Sequence, residues 1–147
     1  MASNHHGTLV ILADRGVLIT GPSGSGKTTL ALSLLRHCAA FNRFARLVSD
    51  DQVFVSVASG RIIGRAPAAI GGLAEARGFA PAPVEHEAAA VIDLAVQLVP
   101  AKDAPRYQDD GTAVLEGVQI PCLGLAERDT EAAVFAVAAR LSMPPFR

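Results

Sequence analysis

The chain has 147 residues, with 13 lysines and arginines against 14 aspartates and glutamates and a formal net charge of -1. This balance gives no reason to expect nucleic acid or an anionic membrane surface as a partner. Half of the residues are hydrophobic and only 5% are aromatic, a composition that suits buried strands covered by helices. The length predicts a single domain spanning residues 1–147.

Targeting signals and membrane spans are not expected from the sequence. The N-terminus MASNHHGT has no basic region followed by an apolar one, so no signal peptide is predicted. No apolar run reaches the length that a bilayer requires. Cys38 and Cys122 lie far apart and show no metal-ligand spacing, which favours two reduced core cysteines. Together these features predict a cytoplasmic protein.

The first predicted elements are two short strands ahead of a glycine-rich segment. Residues 8–13 (TLVILA) and 17–20 (VLIT) are apolar runs separated by the turn Asp14-Arg15-Gly16, which predicts a β-hairpin. Residues 28–41 carry leucines on a broad face, which predicts a helix. The segment GPSGSGKT, residues 21–28, connects the second strand to this helix.

The segment GPSGSGKT fits the pattern G-x-x-x-x-G-K-[ST] at every fixed position. Its glycines let the backbone approach a phosphate closely, and the turned amides with the following helix N-terminus form an anion site. Lys27 can reach the outer phosphates, while Thr28 offers a hydroxyl to Mg²⁺. The predicted nucleotide-binding residues are Gly21, Pro22, Ser23, Gly24, Ser25, Gly26, Lys27, Thr28 and Thr29.

Two consecutive carboxylates follow the next predicted strand, residues 46–49 (RLVS). Asp50 and Asp51 thus lie at the end of a strand, where open α/β sheets bind their ligands. A pair of carboxylates allows a division of labour, in which one holds Mg²⁺ and the other accepts a proton from an attacking hydroxyl. The residue types and their spacing do not decide which aspartate takes which role.

The rest of the chain predicts further strands, one more helix and no internal repeat. In chain order the predicted elements are a hairpin at 52–58 and 61–63, a short helix from Pro67 through Leu73, a stiff loop at Ala80-Pro81-Ala82-Pro83, a strand at 91–99, a mobile polar loop from Pro100 to Gly111, one or two strands within 114–125, and a helix at 130–141.

Four segments together resemble a known family, the bacterial HPr kinase/phosphorylase. The first is His6-Gly7 ahead of the strand pair and glycine loop, which corresponds to HG…GVLITG.SG.GK in the family, and the second is Leu47 to Asp51, which corresponds to LVADD. The third is Gly64-Arg65-Ala66-Pro67 with Glu75-Ala76-Arg77-Gly78, which corresponds to G.AP and E.RG.G. The fourth is Gly117 to Pro121 with Arg128, which resembles the closing segment of the family. A hairpin before the glycine loop is unusual for P-loop proteins but normal in this family. The resemblance implies an α/β, P-loop-containing fold like the HPr kinase catalytic domain, a mixed sheet with flanking helices related in style to phosphoenolpyruvate carboxykinase.

The resemblance also implies an activity and its partners. The family uses ATP and Mg²⁺ to phosphorylate a serine on an HPr-type phosphocarrier of the sugar phosphotransferase system, which regulates carbon metabolism. It can also run the reverse phosphorolysis with inorganic phosphate. The chain is similar to a short form that holds the catalytic domain only. The family is hexameric, so a homo-oligomer with HPr as partner is implied, without nucleic acid or membrane.

Roles for individual residues follow from the same resemblance. Asp50 is expected to be the general base toward serine, with His6 as the hydrogen-bonding neighbour that tunes its carboxylate. Asp51 and Thr28 are expected to be the Mg²⁺ ligands. The implied catalytic residues are Asp50, His6, Lys27 and, by a looser match, Arg106 toward the transferred phosphoryl group; the implied signature loop beside the site holds Glu75, Arg77 and Gly78.

Two other functions stay open from the sequence. A P-loop kinase for a small metabolite would usually carry an arginine-rich lid, whereas the arginines here are scattered along the chain. A non-catalytic nucleotide sensor would bind a partner and would not need an acidic pair beside a histidine. Transfer of label from ATP to HPr distinguishes the three functions.

Overall fold

The computed structural model describes residues 2–108 and 110–147. Within these residues the chain forms ten strands and two α-helices, with short 3₁₀ turns at Ala68–Ile70 and Ala101–Asp103. The elements are β1 (Ser3–Leu12), β2 (Arg15–Thr20), α1 (Lys27–Ala40), β3 (Ala45–Ser49), β4 (Gln52–Ala58), β5 (Arg61–Arg65), β6 (Leu73–Ala76), β7 (Ala80–Pro83), β8 (Ala89–Val99), β9 (Thr112–Leu115), β10 (Val118–Ala126) and α2 (Thr130–Arg140).

Two long strands, β1 and β8, connect two layers of mixed sheet. The first residues of β1 pair with β4, and its later residues pair with both β2 and β3. In the same way, β8 pairs with β5 near its start and with β2 and β10 further along. The pairing of β4 with β5 completes a ring of five strands, β1, β2, β8, β5 and β4. Each long strand therefore belongs to both layers.

The strand directions place several chain segments at one edge of the sheet. Strands β2, β8 and β10 are parallel, and β1 runs antiparallel to both β2 and β3. The carboxyl ends of β2, β3, β8 and β10 consequently lie at the same edge of the sheet, which β1 crosses at residues 7–9. The observed pairs Gly7 with Thr20 and Leu9 with Ser49 mark this edge. Ligands of α/β sheets bind at such an edge.

The hydrophobic core is divided by the sheet into two clusters. One cluster packs α1 and α2 against β1, β2, β8 and β10, and it includes Leu30, Leu34, Val96 and Val137. The second cluster lies between the two layers and includes Leu9, Val53 and Ile92. Strand β1 contributes buried residues to both clusters, Val10 and Leu12 to the first and Leu9 to the second.

Strand β2, which leads into the glycine loop, is held tightly against β8 at its beginning. The backbone N–H of Gly16 donates to Asp93 Oδ2 on β8 at 2.9 Å. A Cβ atom on Gly16 would stand 1.8 Å from the Val91 carbonyl oxygen, closer than any side chain allows. Only glycine permits this approach, so Gly16 and Asp93 together determine where β2 begins.

Most predicted elements are confirmed with small changes at their ends. The hairpin of β1 and β2 ahead of the glycine loop is present, as are the helix after the loop, the strand before the acidic pair and the last helix. None of the helices in the described part of the chain combines the length and apolarity needed to cross a membrane.

Two predictions in the middle of the chain are wrong. The helix expected from Pro67 through Leu73 is only the 3₁₀ turn Ala68–Ile70, because the chain enters β6 at Leu73. The stiff loop expected at 80–83 is instead strand β7, which pairs with β6 to form a small separate hairpin. The mobility predicted for residues 100–111 stays a prediction, and Asp109 in that segment lies outside the described residues.

The two cysteines are both free, as the sequence predicted. Cys38 is fully buried on α1 and Cys122 is half-buried on β10. Burial raises the pKa of the Cys38 thiol, with the nearby Arg43 charge acting weakly in the opposite sense. Burial likewise raises the pKa of Cys122. Both thiols are therefore held in the protonated, unreactive form at neutral pH.

Candidate active site

The glycine loop connects the end of β2 to the start of α1. Gly24 and Gly26 have φ angles of 80° and 99°, in the left-handed region that favours glycine. Gly26 is the N-cap of α1 and supplies no side-chain cap, so the first amides of the helix are free to bind an anion. The ammonium of Lys27 donates to the carbonyl oxygens of Gly21 at 3.0 Å and Pro22 at 3.3 Å. These bonds hold a positive charge at the mouth of the loop.

A cavity of about 300 Å³ opens over this loop. It lies at the sheet edge where β2 and β3 end, and its walls come from the glycine loop, the acidic pair and the β6–β7 hairpin. The lining residues are Ser23, Gly24, Gly26, Lys27, Thr28, Thr29, Asp50, Asp51, Glu75 and Arg77. The structure therefore brings most of the predicted nucleotide-binding residues into one cavity with both aspartates.

Asp50 is buried at the floor of the cavity, with 8% of its surface exposed. Its Oδ1 accepts hydrogen bonds from Thr28 Oγ1 at 2.7 Å and from Thr8 Oγ1 at 3.1 Å. Its Oδ2 accepts the backbone N–H of Glu75 at 3.0 Å. Three donors on one carboxylate compensate for its burial and hold it in one orientation.

Asp51 differs from its neighbour in conformation and exposure. Its φ angle is 68°, a left-handed conformation that aspartate tolerates better than most residues. The turn directs its side chain, which is 62% exposed, away from the interior and toward His6. His6 Nε2 lies 2.7 Å from Asp51 Oδ1, and the backbone N–H of Gly7 donates to the Asp51 carbonyl oxygen at 3.0 Å.

One contact predicted for the two aspartates is therefore wrong. His6 was expected beside Asp50, and it contacts Asp51 instead. Thr28 donates to Asp50, and the metal that Thr28 was expected to share with Asp51 stays a prediction. The physical reason is the left-handed residue at position 51, which sends two consecutive side chains to different sides of the cavity. The two aspartates and both of their predicted partners nevertheless lie in one site.

The signature residues lie in the hairpin of β6 and β7, beside the acidic pair. The hairpin of β6 and β7 turns through Gly78, whose φ angle is 90°. Glu75 and Arg77 line the cavity, and the bond from the Glu75 amide to Asp50 ties the hairpin to the cavity floor. Phe79 stands at the tip of the hairpin with 85% of its surface exposed.

Arg106 lies away from this cavity. Its guanidinium stacks on the Tyr107 ring, with the carbon 5.5 Å from the ring centroid. Both residues line a different cavity, between the segment that follows β8 and the outer face of α2. A contact of Arg106 with a transferred phosphoryl group thus stays a prediction that this arrangement does not favour.

Sequence reasoning missed the way in which Arg128 supports the glycine loop. The backbone N–H of Arg128 donates to the Ser25 carbonyl oxygen at 3.0 Å, and its Nη1 donates to the Gly24 carbonyl oxygen at 3.1 Å. Glu127 Oε1 accepts from the same guanidinium at 2.8 Å. The sequence placed Arg128 ahead of the last helix, but no local pattern could reveal contacts with residues a hundred positions earlier.

The contact of Thr8 with the acidic pair was also not predicted from the sequence. Its side chain is fully buried at the start of the site, where it donates to Asp50 Oδ1 and accepts the backbone N–H of Asp51 at 3.2 Å. The one available signal was a hydroxyl residue at the start of an otherwise apolar strand, next to His6-Gly7. That signal alone does not separate a functional threonine from an ordinary strand residue.

Comparison with known proteins agrees with this arrangement. Residues 1–126 match the family described as HPr Serine kinase C-terminal domain. The HPr kinase/phosphorylases of Clostridium beijerinckii and Clostridium tetani are 44% and 42% identical over 74 residues. These alignments cover 50% of this chain and 22% of each relative, so the chain spans about a fifth of the length of the curated relatives it matches.

A solved structure shows the same fold. The Hpr(Ser) kinase/phosphatase from Coxiella burnetii superimposes with a TM-score of 0.76 over 92% of this chain and 86% of the other, at 20% sequence identity. At that identity the likeness concerns the mixed α/β architecture alone. The family match itself covers all the strands and the complete cavity over the glycine loop. The chain therefore belongs to the HPr serine kinase C-terminal domain family.

Proposed function

We propose that this chain is a kinase domain that transfers the γ-phosphoryl group of ATP to a serine of an HPr-type phosphocarrier protein. The observation that carries the proposal is the position of Asp51, which His6 contacts at 2.7 Å, on the wall of the same cavity as Lys27 and Thr28. A phosphate-binding loop alone supports nucleotide binding. A carboxylate–histidine pair facing that loop supports proton removal from an attacking hydroxyl.

The glycine loop provides the phosphate site. Backbone amides at the start of α1 and the buried ammonium of Lys27 offer positive charge and hydrogen-bond donors to the β- and γ-phosphates. Arg128 holds the loop from behind through Gly24 and Ser25. Since phosphoryl transfer depends mostly on positioning and electrostatics, a rigid loop is part of the catalytic apparatus.

The residues around Asp50 fit a magnesium ion. Mg²⁺ prefers hard oxygen ligands and is usually held by one or two protein groups together with substrate phosphates. The hydroxyl of Thr28 and the carboxylate of Asp50 converge at the edge of the loop, and they would hold the ion there. Among residues 2–108 and 110–147, no group of three or more His, Cys, Asp or Glu side chains is placed to hold a metal alone. Bound Mg²⁺ supplies charge neutralisation for the phosphate oxygens.

Asp51 is proposed as the general base, in place of the Asp50 suggested by the family resemblance. The carboxylate of Asp50 is buried and already accepts three hydrogen bonds, whereas Asp51 is exposed to an incoming hydroxyl. The bond from His6 holds Asp51 Oδ1 in place. In the reverse direction, with inorganic phosphate as acceptor, the same carboxyl would return the proton to the departing serine oxygen.

Several broader features stay part of the proposal. We infer that residues 1–147 act as one catalytic domain of a cytoplasmic enzyme, related in style to phosphoenolpyruvate carboxykinase. A hexamer, and the absence of nucleic acid and membrane partners, are inferred from the family resemblance and the charge balance of the chain. HPr is proposed as acceptor because relatives that match half of the chain are named HPr kinase/phosphorylase.

Incubation of the purified chain with γ-labelled ATP, Mg²⁺ and purified HPr tests the function. We expect label on a serine of HPr, and release of that label as pyrophosphate when inorganic phosphate is added. A control with HPr whose acceptor serine is replaced by alanine should stay unlabelled. Tight ATP binding without transfer to HPr would overturn the proposal in favour of a nucleotide sensor, and label on a small metabolite would favour a metabolite kinase.

The acceptor protein is expected to contact the tip of the β6–β7 hairpin. Phe79 is exposed there, two residues from Arg77 in the cavity wall, and aromatic side chains are common anchors of protein interfaces. Phe79→Ser should raise KM for the protein acceptor about five- to thirtyfold, the equivalent of losing 1–2 kcal/mol of contact. Steady-state kinetics at saturating ATP measures this change.

The matched control for Phe79→Ser is Val114→Ser. Val114 is 71% exposed on the outermost strand β9, so its replacement should leave KM for the acceptor unchanged. Equal effects of the two substitutions, or a loss of ATP affinity in Phe79→Ser, would contradict an acceptor contact at the hairpin tip.

A further inference from the structure

Thr8 is the buried hydroxyl residue at the point where β1 reaches the site. Its surface is 0% exposed, so its oxygen has no access to water and depends on protein partners. It has two such partners, since it donates to Asp50 Oδ1 at 3.1 Å and accepts the backbone N–H of Asp51 at 3.2 Å. One side chain therefore binds both residues of the acidic pair.

The two hydrogen bonds of Thr8 lie where the side chains of Asp50 and Asp51 turn in different directions. Asp50 follows strand β3 with its carboxylate buried, and Asp51 adopts the left-handed conformation that turns its carboxylate toward His6. The Thr8 hydroxyl accepts the backbone N–H of Asp51 and donates to the carboxylate of Asp50. It therefore contacts both residues at the point where their side chains diverge. Threonine is β-branched and stiff about χ1 in a strand, so the position of its hydroxyl is fixed by β1.

Thr28 also donates to Asp50 Oδ1, at 2.7 Å, but it has a second proposed role as a Mg²⁺ ligand. In the proposed function its oxygen would bind Mg²⁺, which requires the hydroxyl to orient toward the ion. Thr8 has no such competing role. It is the hydroxyl that can keep its bond to Asp50 while Thr28 serves the metal.

We propose that Thr8 is a positioning residue that sets the mutual orientation of Asp50 and Asp51, an inference that rests on the proposed function for its catalytic consequence. It holds the carboxylate of the metal ligand and the backbone of the base with a single hydroxyl. Without that hydroxyl, the Asp51 amide loses its acceptor, and the turn keeps the bond from the Gln52 amide to the Asp50 carbonyl oxygen, the bond from the Gly7 amide to the Asp51 carbonyl oxygen and the contact with His6. The carboxylate of Asp51, the proposed base, should then sample positions away from the serine hydroxyl of the acceptor protein.

The test replaces Thr8 by valine, which keeps the shape of the side chain and removes the hydroxyl. In Thr8→Val we expect faster amide hydrogen exchange at Asp51, measured by NMR. We also expect kcat to fall roughly tenfold to a hundredfold, as for a misplaced catalytic group, with KM for ATP unchanged. Thr8→Ser retains the hydroxyl and should restore both properties toward the wild type.

Thr20→Val is the matched control on the neighbouring strand. Thr20 donates to the Val96 carbonyl oxygen and does not contact the acidic pair, so its loss should leave Asp51 exchange unchanged. Unaltered exchange and kcat in Thr8→Val, or equal losses in Thr8→Ser, would overturn the inference. If Thr8→Val does not fold, Thr8→Ala is measured in the same assays.

The exchange measurement separates this inference from the proposed function. If the wild type transfers no phosphoryl group, the proposed function fails. Faster exchange at Asp51 in Thr8→Val still supports the positioning role in that case, and unchanged exchange refutes it. If the wild type is active and Thr8→Val is equally active with normal exchange, only the role of Thr8 is refuted.

Discussion

Replacement of Asp51 by asparagine is expected to lower kcat for transfer to the protein serine by about 10²- to 10⁴-fold, the usual contribution of a general base. Asparagine has nearly the same shape and tolerates the left-handed conformation found at position 51, so the backbone turn should persist. Because the Asp51 side chain is bonded to His6, while Lys27 is bonded to carbonyl oxygens of the loop, the dissociation constant for ATP should stay at the wild-type value. Single-turnover kinetics and nucleotide titration measure the two quantities.

Asp50→Asn provides the comparison that decides which aspartate is the base. Asp50 is bonded to Thr28, so its replacement should raise the Mg²⁺ concentration needed for half-maximal activity, and turnover should recover in part at high Mg²⁺. If Asp51→Asn retains full transfer while Asp50→Asn loses it at every Mg²⁺ concentration, then the assignment is reversed and Asp50 is the base.

Replacement of Lys27 by alanine is expected to weaken ATP binding about ten- to a hundredfold, because charge-assisted hydrogen bonds contribute roughly 1.5–3 kcal/mol and each 1.4 kcal/mol is about tenfold in affinity. The ammonium also bonds to the Gly21 and Pro22 carbonyl oxygens, so its loss should loosen the loop as well. Calorimetric titration with ATP and Mg²⁺ measures the change.

The second lysine of the chain, Lys102, supplies the control. It lies in the exposed 3₁₀ turn after β8, away from the residues that line the cavity over the glycine loop. Lys102→Ala should bind ATP as the wild type does. An unchanged dissociation constant in Lys27→Ala would argue against the loop as the phosphate site.

The local parts of the site were predictable from the sequence. The glycine loop requires a strand before it, glycines within it and a helix after it, and all three lie within residues 15–40, so the pattern can be read directly. The acidic pair was predictable for a similar reason, since it follows a short apolar strand. The predicted hairpin ahead of the loop also depends only on neighbouring residues.

Contacts between distant residues could not be predicted in the same way. The partner of His6 depends on a single backbone angle at Asp51, and residues around that position do not require a left-handed conformation. Arg128 reaches the glycine loop only because β10 runs parallel to β8 and ends at the same edge. The family resemblance pointed to both aspartates and to His6, but it paired His6 with Asp50, whereas His6 contacts Asp51.

The hairpin of β6 and β7 was missed because proline normally argues against a strand. Pro81 and Pro83 alternate with alanines in β7, and a two-stranded hairpin leaves one side of each strand without a partner. A proline whose missing N–H faces that open side costs no hydrogen bond. The prolines therefore stiffen this strand and are compatible with its pairing to β6.

The register of β1 also decides which of two adjacent histidines serves the site. Successive side chains of a strand point to opposite faces, so His6 meets Asp51 while His5 meets Glu116 at 3.0 Å. A slip of one residue in register would exchange the two histidines and turn Thr8 out of the interior. That register is set by all three neighbours of β1, which are β2 beyond the two-residue turn at Ala13 and Asp14, β3, and β4, where His5 pairs with Val53 and His6 with Gln52. The chemistry of the site thus depends on strand pairing along the whole of β1, most of it at residues that contribute no side chain to the site.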